Sequence, residues 1–473
     1  MTSALGFLNQ VIWQYVLIYG LIGVGIWFTI RLRFQQVIRF GEMFRCVVAR
    51  PAEDGQGISS FQALCTSLAS RVGTGNIAGV AVALVLGGPG AIFWMWIVAF
   101  VGMATAYAES ALAQLYKVRD DASSQAVYRG GPAYYIAQGL GMPWLATLFS
   151  IAMIFAVGLV VNALQANSIA EAMEGAFGVS RLGSGAVLAV LTGIIVFGGI
   201  RKIARVAEYV VPFMAGAYLL VALAVMVMNW AELPRLLWMI LVNAFGLDPA
   251  IGGITGGVMA AILNGVKRGL FSNEAGMGSA PNIAAAATPV PHHPASQGMV
   301  QAFAVFIDTI IVCTCTAVFI LLSGVYEPGG ALTGTQLSQM ALADHIGSVG
   351  PTFIAVAIFF FAFTTVLGCY AYAEMALAYL GGANRLGLTA LRLAMLAMLI
   401  WGSVQSITTV FDLADASLGL IAIVNLIALL AMTPTILALS RDYFGQRARG
   451  QDPRFIARDH AWMGKGIDHD IWK

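Results

Sequence analysis

Ser70-Arg71-Val72-Gly73-Thr74-Gly75-Asn76 and Phe271-Ser272-Asn273-Glu274-Ala275-Gly276-Met277-Gly278-Ser279 are the two stretches that decide how this chain folds. Each lies midway along a long apolar run, and each sets a Gly-x-Gly among polar and charged residues. A continuous transmembrane helix does not select that chemistry. Glycine costs about 1 kcal/mol against alanine inside a helix, and a charge at the bilayer centre costs at least ~2.5 kcal/mol. A helix broken at each stretch accounts for both features. Unwinding frees amides and carbonyls, which a membrane tolerates only where they line a cavity or hold a ligand. Half-helix N-termini then favour a carboxylate, and freed carbonyls suit Na⁺ or an ammonium group. Tight glycine packing against a neighbouring helix is the competing reading of either motif alone, and it is weaker for the pair.

The surrounding composition puts these breaks in a bilayer. Of 473 residues, 59% are hydrophobic and 10% charged, against roughly 25% charge in a soluble globule. The chain therefore reads as an all-α integral membrane protein, which excludes fibrous, disordered and secreted disulfide-rich classes. The 53 glycines point to close helix packing or backbone breaks within the membrane. A net charge of +2 implies no nucleic-acid partner. The five cysteines, Cys46, Cys65, Cys313, Cys315 and Cys369, form no CxxC pair and read as small buried hydrophobes. The first 30 residues hold no Lys or Arg, so no basic leader region precedes the run Gly6–Ile30, which is long enough to stay as a membrane helix.

Eleven apolar spans are predicted, at about 7–30, 60–86, 90–116, 144–172, 181–200, 204–229, 250–287, 297–323, 349–379, 388–409 and 416–440. After Ser440 the tail mixes arginines with aspartates and reads as a solvated cytoplasmic extension, with a short helix as an option. Twenty of the 25 Lys and Arg residues fall in the tail and one alternate set of loops, against Arg181 and Arg235 on the other side. The positive-inside rule then sets the N-terminus outside and the C-terminus in the cytoplasm of an inner-membrane protein. Spans two to six and seven to eleven form two sets of five, of opposite topology because five is odd, and each set opens on a broken helix. That is the pattern of an inverted-repeat transporter with one extra helix in front. The corresponding units are 1–58, 59–230, 231–440 and 441–473.

Longer motifs carry a resemblance. Gly73-Thr74-Gly75-Asn76-Ile77-Ala78-Gly79-Val80, Gly87-Gly88-Pro89-Gly90-Ala91-Ile92-Phe93-Trp94-Met95-Trp96, Gly130-Gly131-Pro132, Gln165-Ala166-Asn167-Ser168 and Phe271-Ser272-Asn273-Glu274-Ala275-Gly276 resemble the alanine or glycine:cation symporter family (sodium:alanine symporters) over roughly residues 1–445. The resemblance implies a LeuT-type fold of five-plus-five inverted repeats with a midplane site and alternating access. It further implies that the amides of Thr74 and Gly75 receive a substrate carboxylate, and that the carbonyls of Ala69, Val72 and Phe361 join the hydroxyls of Thr364 and Thr365 around Na⁺. Phe271, Ser272 and Asn273 would hold the amino group, and Gln165 would contact substrate. Oxygen donors suit a hard cation such as Na⁺. Back-bonding to the preceding turn is the plain alternative for the two threonines, and interhelical glue is the alternative for the Asn162, Gln165, Ser168 face.

Arg71, Glu274 and Asp308 are ionisable residues inside spans and candidates for gating or coupling. Asp308 is read first as one half of an ion pair, with Arg268 or Lys267 as partners, ahead of direct ion ligation. Glu109, Glu208 and Glu374 are read as interfacial, and His292-His293 as a turn without a metal role. Cys369 stands where members of the family that carry alanine or glycine tend to have Trp, which predicts a pocket open to a side chain larger than methyl. Ala106 stands in place of a family Lys. Together these readings predict Na⁺-coupled uptake of a small neutral amino acid, with H⁺ coupling through Asp308 or Glu274 as the alternative. A channel lacks a repeated filter motif here, a membrane enzyme lacks a buried catalytic set, and no Walker A supports an ATP-driven pump.

Overall fold

The computed structural model describes residues 6–7, 9–49, 57–119, 128–246, 254–463 and 466–473. Among them, eight helices are long and apolar enough to cross a membrane, or nine when one bent pair is counted as a span. They are Val11–Arg31, Gly90–Leu115, Pro143–Phe177, Gly199–Met228, Pro294–Leu321, Val349–Tyr379, Arg385–Val404 and Ile407–Ala431, with Ser60–Arg71 and Gly75–Gly87 as the bent pair. Two further segments have helices at the expected places but differ in character. Arg181–Val196 has only 16 residues. Ile254–Asn273 is long enough but carries Asn264, Lys267 and Arg268 among glycines, and the start of that expected span, residues 250–253, lies outside the described residues.

Both predicted breaks are present. The Ser60–Arg71 helix opens on a reciprocal cap, Ser59 Oγ accepting from the Gln62 amide while Gln62 returns a bond to the Ser59 amide. It ends at Val72, and the chain resumes at Gly75 after a bend of 55°. The second helix stops at Asn273 and a short helix restarts at Pro281. Between them Glu274, Gly276 and Gly278 take φ of 54°, 86° and 77°. Left-handed backbone suits glycine and costs a residue with a side chain about 1–3 kcal/mol.

The two breaks sit at the centre of the bundle. Gly90–Leu115 packs along both Pro294–Val305 and Ile254–Asn273, while the helix from Asn162 to Phe177 crosses Val349–Tyr379 and Arg385–Val404. Three helices carry turns of wider π-type winding near the breaks, at Gly75–Gly79, Ile154–Val161 and Phe306–Cys313. Such turns leave carbonyls outside the regular ladder and recur at functional sites.

Two expectations are corrected. The last span begins at Ile407 rather than 416, because Ser406 caps it through the Thr409 amide and the polar residues to Asp415 lie inside the helix. The tail is solvated on one side only and docks by the other. Thr433–Ala448 is helical, and beyond it Phe455, Ile471 and Trp472 are buried. The Trp472 indole donates to the Leu115 carbonyl at 3.2 Å and stacks near His292, and the ammonium of buried Lys117 lies 4.9 Å above its ring. The apolar residues spaced through 455–472 carry this docking, whereas the arginines and aspartates between them face outward.

Candidate substrate and sodium site

The sodium side of the site comes together around one hydroxyl. Thr365 Oγ1 lies 3.0 Å from the Ala69 carbonyl, 3.5 Å from the Val72 carbonyl and 3.0 Å from the Phe361 carbonyl. Thr364 Oγ1 also donates to the Phe361 carbonyl, at 2.9 Å. Four of the five expected oxygens therefore lie together where Val349–Tyr379 crosses the first break, while Thr364, bonded back to Phe361 in its own helix and 3.9 Å from the Met214 sulfur, adjoins them only through that carbonyl. The break is what makes the Ala69 carbonyl available. Its ordinary helical donor would be the Gly73 amide, and that amide instead donates to Asn76 Oδ1 at 3.0 Å.

Gln165 lies against the first break. Its Oε1 accepts from the Thr74 amide at 3.1 Å and from the Thr74 hydroxyl at 2.6 Å. Beside it is a cavity of about 10 Å³ lined by Arg71, Gln165, Phe271, Glu274, Ser279 and Leu418, among others. A space of ~10 Å³ is near the minimum for one water, so this conformation is closed on the site. Phe271 covers Gly75, where a Cβ would lie 2.7 Å from the phenylalanine ring. Asn273 Oδ1 accepts from the Ala275 amide, and its Nδ2 is buried without a partner. Ser272 turns away from the cavity, toward Thr309 and Cys313. Cys369 is wholly buried and does not line the cavity, so the polar wall there is built by Arg71, Glu274 and Ser279.

Two residues not assigned from sequence hold the breaks in shape. Glu109, read as interfacial, is completely buried. Its two carboxylate oxygens accept from the amides of Gly276 at 3.2 Å and Gly278 at 3.1 Å, and Asn425 donates to it at 2.8 Å. The carboxylate thus satisfies amides that the broken helix leaves without helical partners. Asn76 ties the breaks together, donating to Ser272 Oγ and to the Asp308 carbonyl, each at 2.9 Å. A charged pairing also differs from expectation. Asp308 faces Arg71, at 3.9 Å, whereas Lys267 and Arg268 both reach Asp415 at 3.1 Å. Glu274 forms its short bond with Ser279 Oγ, 2.5 Å away, rather than with Arg71.

Residues 1–457 match the model of the sodium:alanine symporter family. The chain belongs to that family. It is 48% identical over 451 residues to the amino-acid carrier protein AlsT of Bacillus subtilis, covering 95% of this chain and 94% of that one. It is 45% identical to GlnT of the same organism, whose name is probable sodium/glutamine symporter, over 95% and 92% of the two chains. A sodium/proton-dependent alanine carrier of Bacillus sp. PS3 is 41% identical over 85% of this chain and 91% of its own. A chain of this family is a transporter and not an enzyme, and Na⁺ is the coupling ion named for the family.

Glu109 left only a weak signal, a lone acid in a helix otherwise rich in alanine. Its partners are backbone amides more than 160 residues away in the chain, and no local pattern encodes such a pairing. Asp415 was hidden by the misplaced start of the last span. Placing it two turns inside a helix identifies it as an intramembrane acid in want of a cation.

Proposed function

We propose that this protein imports a small neutral amino acid into the cell by Na⁺-coupled alternating access. The reading adopts eleven spans, the last ten as two inverted sets of five in a LeuT-type arrangement, in the plasma membrane with the N-terminus outside and the C-terminus in the cytoplasm. The meeting of Thr365 Oγ1 with the carbonyls of Ala69, Val72 and Phe361 carries it. Four neutral oxygens converging beside a broken helix, with the Thr364 hydroxyl adjoining them, suit a dehydrated monovalent cation. Sodium bound there ties the first broken helix to Val349–Tyr379 and so favours the conformer that receives substrate. The carboxylate then takes the amides and hydroxyl at Thr74 and Gly75, displacing Gln165, and the carbonyls at Phe271, Ser272 and Asn273 receive the amino group. Each sodium entering down the membrane potential contributes ~2.3 kcal/mol per 100 mV, in addition to its concentration gradient.

Glu274, Ser279 and Arg71 along the cavity favour substrates whose side chains tolerate or use polar neighbours, which extends the class from alanine toward amides such as glutamine. The pocket reading no longer depends on Cys369. Uptake of labelled alanine, glycine and glutamine into proteoliposomes, with and without an inward Na⁺ gradient, tests the proposal. Uptake that ignores the gradient for all three rejects it. Proton coupling is the second reading, favoured by Asp308. It is wholly buried, its Oδ2 has no hydrogen bond, and Arg71 stands off at 3.9 Å. Accumulation driven by a pH gradient in Na⁺-free buffer, abolished in Asp308→Asn, decides for it.

A further inference from the structure

Four arginines from two distant parts of the chain, Arg31, Arg33, Arg39 and Arg441, line one cavity of about 420 Å³. The first helix delivers three of them because the chain turns sharply at its end. Arg33 and Phe34 have φ of 57° and 54°, held by the Phe34 amide on the Thr29 carbonyl at 2.8 Å and by Gln36 on the Thr29 hydroxyl at 2.9 Å. The helix from Thr433 supplies the fourth.

Among the described residues, none of the four has an acidic partner. Arg39 lies over the Phe444 ring at 4.7 Å and Arg31 over the Trp27 ring at 5.0 Å. The acids nearby are committed elsewhere. Glu42 holds Arg447 at 2.8 Å and accepts from Tyr443 at 2.6 Å. Asp442 holds His293 and Gln446 at 3.1 and 3.0 Å and lies 3.6 Å from His460. Cations gathered round one hollow without counter-charge repel one another.

The neighbourhood distinguishes which anion. The segment that carries Arg33 and Arg39 exposes apolar side chains beside them, Phe34 at 47%, Val37 at 57% and Ile38 at 67%. Val11–Arg31 is an apolar span ending at this rim, so the hollow opens at a membrane boundary. A second cavity of about 860 Å³ shares Arg31 and Arg441 and extends along Trp27 and Thr433. We infer that this hollow is a binding site for an anionic phospholipid, its phosphate among the four guanidinium groups and its acyl chains along the apolar rim. Guanidinium groups pair with phosphate oxygens in a bidentate fork, and basic pockets beside membrane helices recognise anionic headgroups. The site is separate from the transport pathway and does not depend on the ion or substrate assigned above.

The test uses the full chain in uncharged detergent, with native mass spectrometry and thermal stability as readouts. The probes are phosphatidylglycerol, phosphatidylcholine and inorganic phosphate. Phosphatidylglycerol is expected to remain bound and to raise the melting temperature, and phosphatidylcholine to do neither. Millimolar phosphate should fail to displace it. Each arginine near an anionic headgroup is worth about fivefold in affinity. The triple variant Arg33→Gln, Arg39→Gln, Arg441→Gln should therefore bind on the order of a hundredfold more weakly while melting normally without lipid. If the triple variant does not fold, Arg33→Gln and Arg441→Gln alone should each lose about fivefold. Equal retention of phosphatidylcholine, full displacement by phosphate, or undiminished binding in the folded variants overturns the inference.

Discussion

Replacing Thr365 by Val removes one hydroxyl and almost no volume from a residue that is 1% exposed. Two consequences can be worked from its contacts. In Na⁺-free protein the Ala69 carbonyl, whose helical donor is already turned to Asn76, loses the hydroxyl 3.0 Å away. An unpaired buried carbonyl costs about 1–3 kcal/mol, so the variant should melt lower. In sodium-bound protein one of five oxygens is lost. Taking the contact as comparable to a hydrogen bond to a charged group, about 1.5–3 kcal/mol, sodium affinity falls roughly ten- to hundredfold. The assay is thermal unfolding against sodium concentration. At one hundred times the wild-type Kd, sodium stabilises by about 2.7 kcal/mol, and a thirtyfold weaker site retains only about 0.9 kcal/mol. Sodium-dependent uptake should shift its half-saturation by the same factor, and Thr365→Ser should restore both. A sodium half-saturation within twofold of wild type in folded Thr365→Val would refute the five-oxygen site.

Other outcomes follow from the same contacts. Gln165→Ala vacates the Thr74 amide and hydroxyl that the carboxylate would otherwise have to win from the side chain, and should lower the half-saturating substrate concentration by roughly tenfold in uptake assays while leaving the sodium response near wild type; an unchanged substrate response removes Gln165 from the site. Glu109→Gln keeps the shape but turns one of the two acceptor oxygens into an NH2 donor, and should lower the melting temperature and slow uptake because Gly276, Gly278 and Asn425 then compete for a single acceptor; wild-type transport would make that carboxyl group dispensable. Burial holds the His293 imidazole below its ordinary value of about 6.5 against the opposing pull of Asp442, with His460 and His292 also close. The folded state therefore prefers neutral His293, so its contribution is complete above pH ~6.5 and is lost as pH falls below that. Amide protection in residues 455–463 and 466–472, taken relative to the intrinsic exchange rate at each pH, should accordingly fall between pH 7.5 and 5.5, and this dependence should weaken in His293→Gln; pH-independent protection in the wild type contradicts the reasoning.

The two breaks were legible because their chemistry is local: glycines and charges in an apolar run have few uses. The threonine pair was singled out by the family resemblance, because two hydroxyls in an apolar run read equally well as bonds back to the preceding turn. The span boundaries near Asp415 were not, because a polar helix start inside a bundle reads like a loop until its neighbours are known. The docked tail was obscured by its charges, since the five buried apolar residues Phe455, Ala457, Ile467, Ile471 and Trp472 show no period. Glu109 and Asn76 serve amides and carbonyls far away in the chain, and a side chain's service to distant backbone leaves no spacing to read.

Gln165 gives the closed site a thermodynamic character of its own. Because its Oε1 already meets the Thr74 amide and hydroxyl, a substrate carboxylate bound there as proposed would exchange one acceptor for another. The gain is the difference between a charged and a neutral acceptor, on the order of 1 kcal/mol, instead of the full value of new bonds. A carrier built this way holds its cargo loosely and lets it go readily on the far side. It can also reset without stranding a buried amide, so the empty half of the cycle is not the step that its own polar groups obstruct.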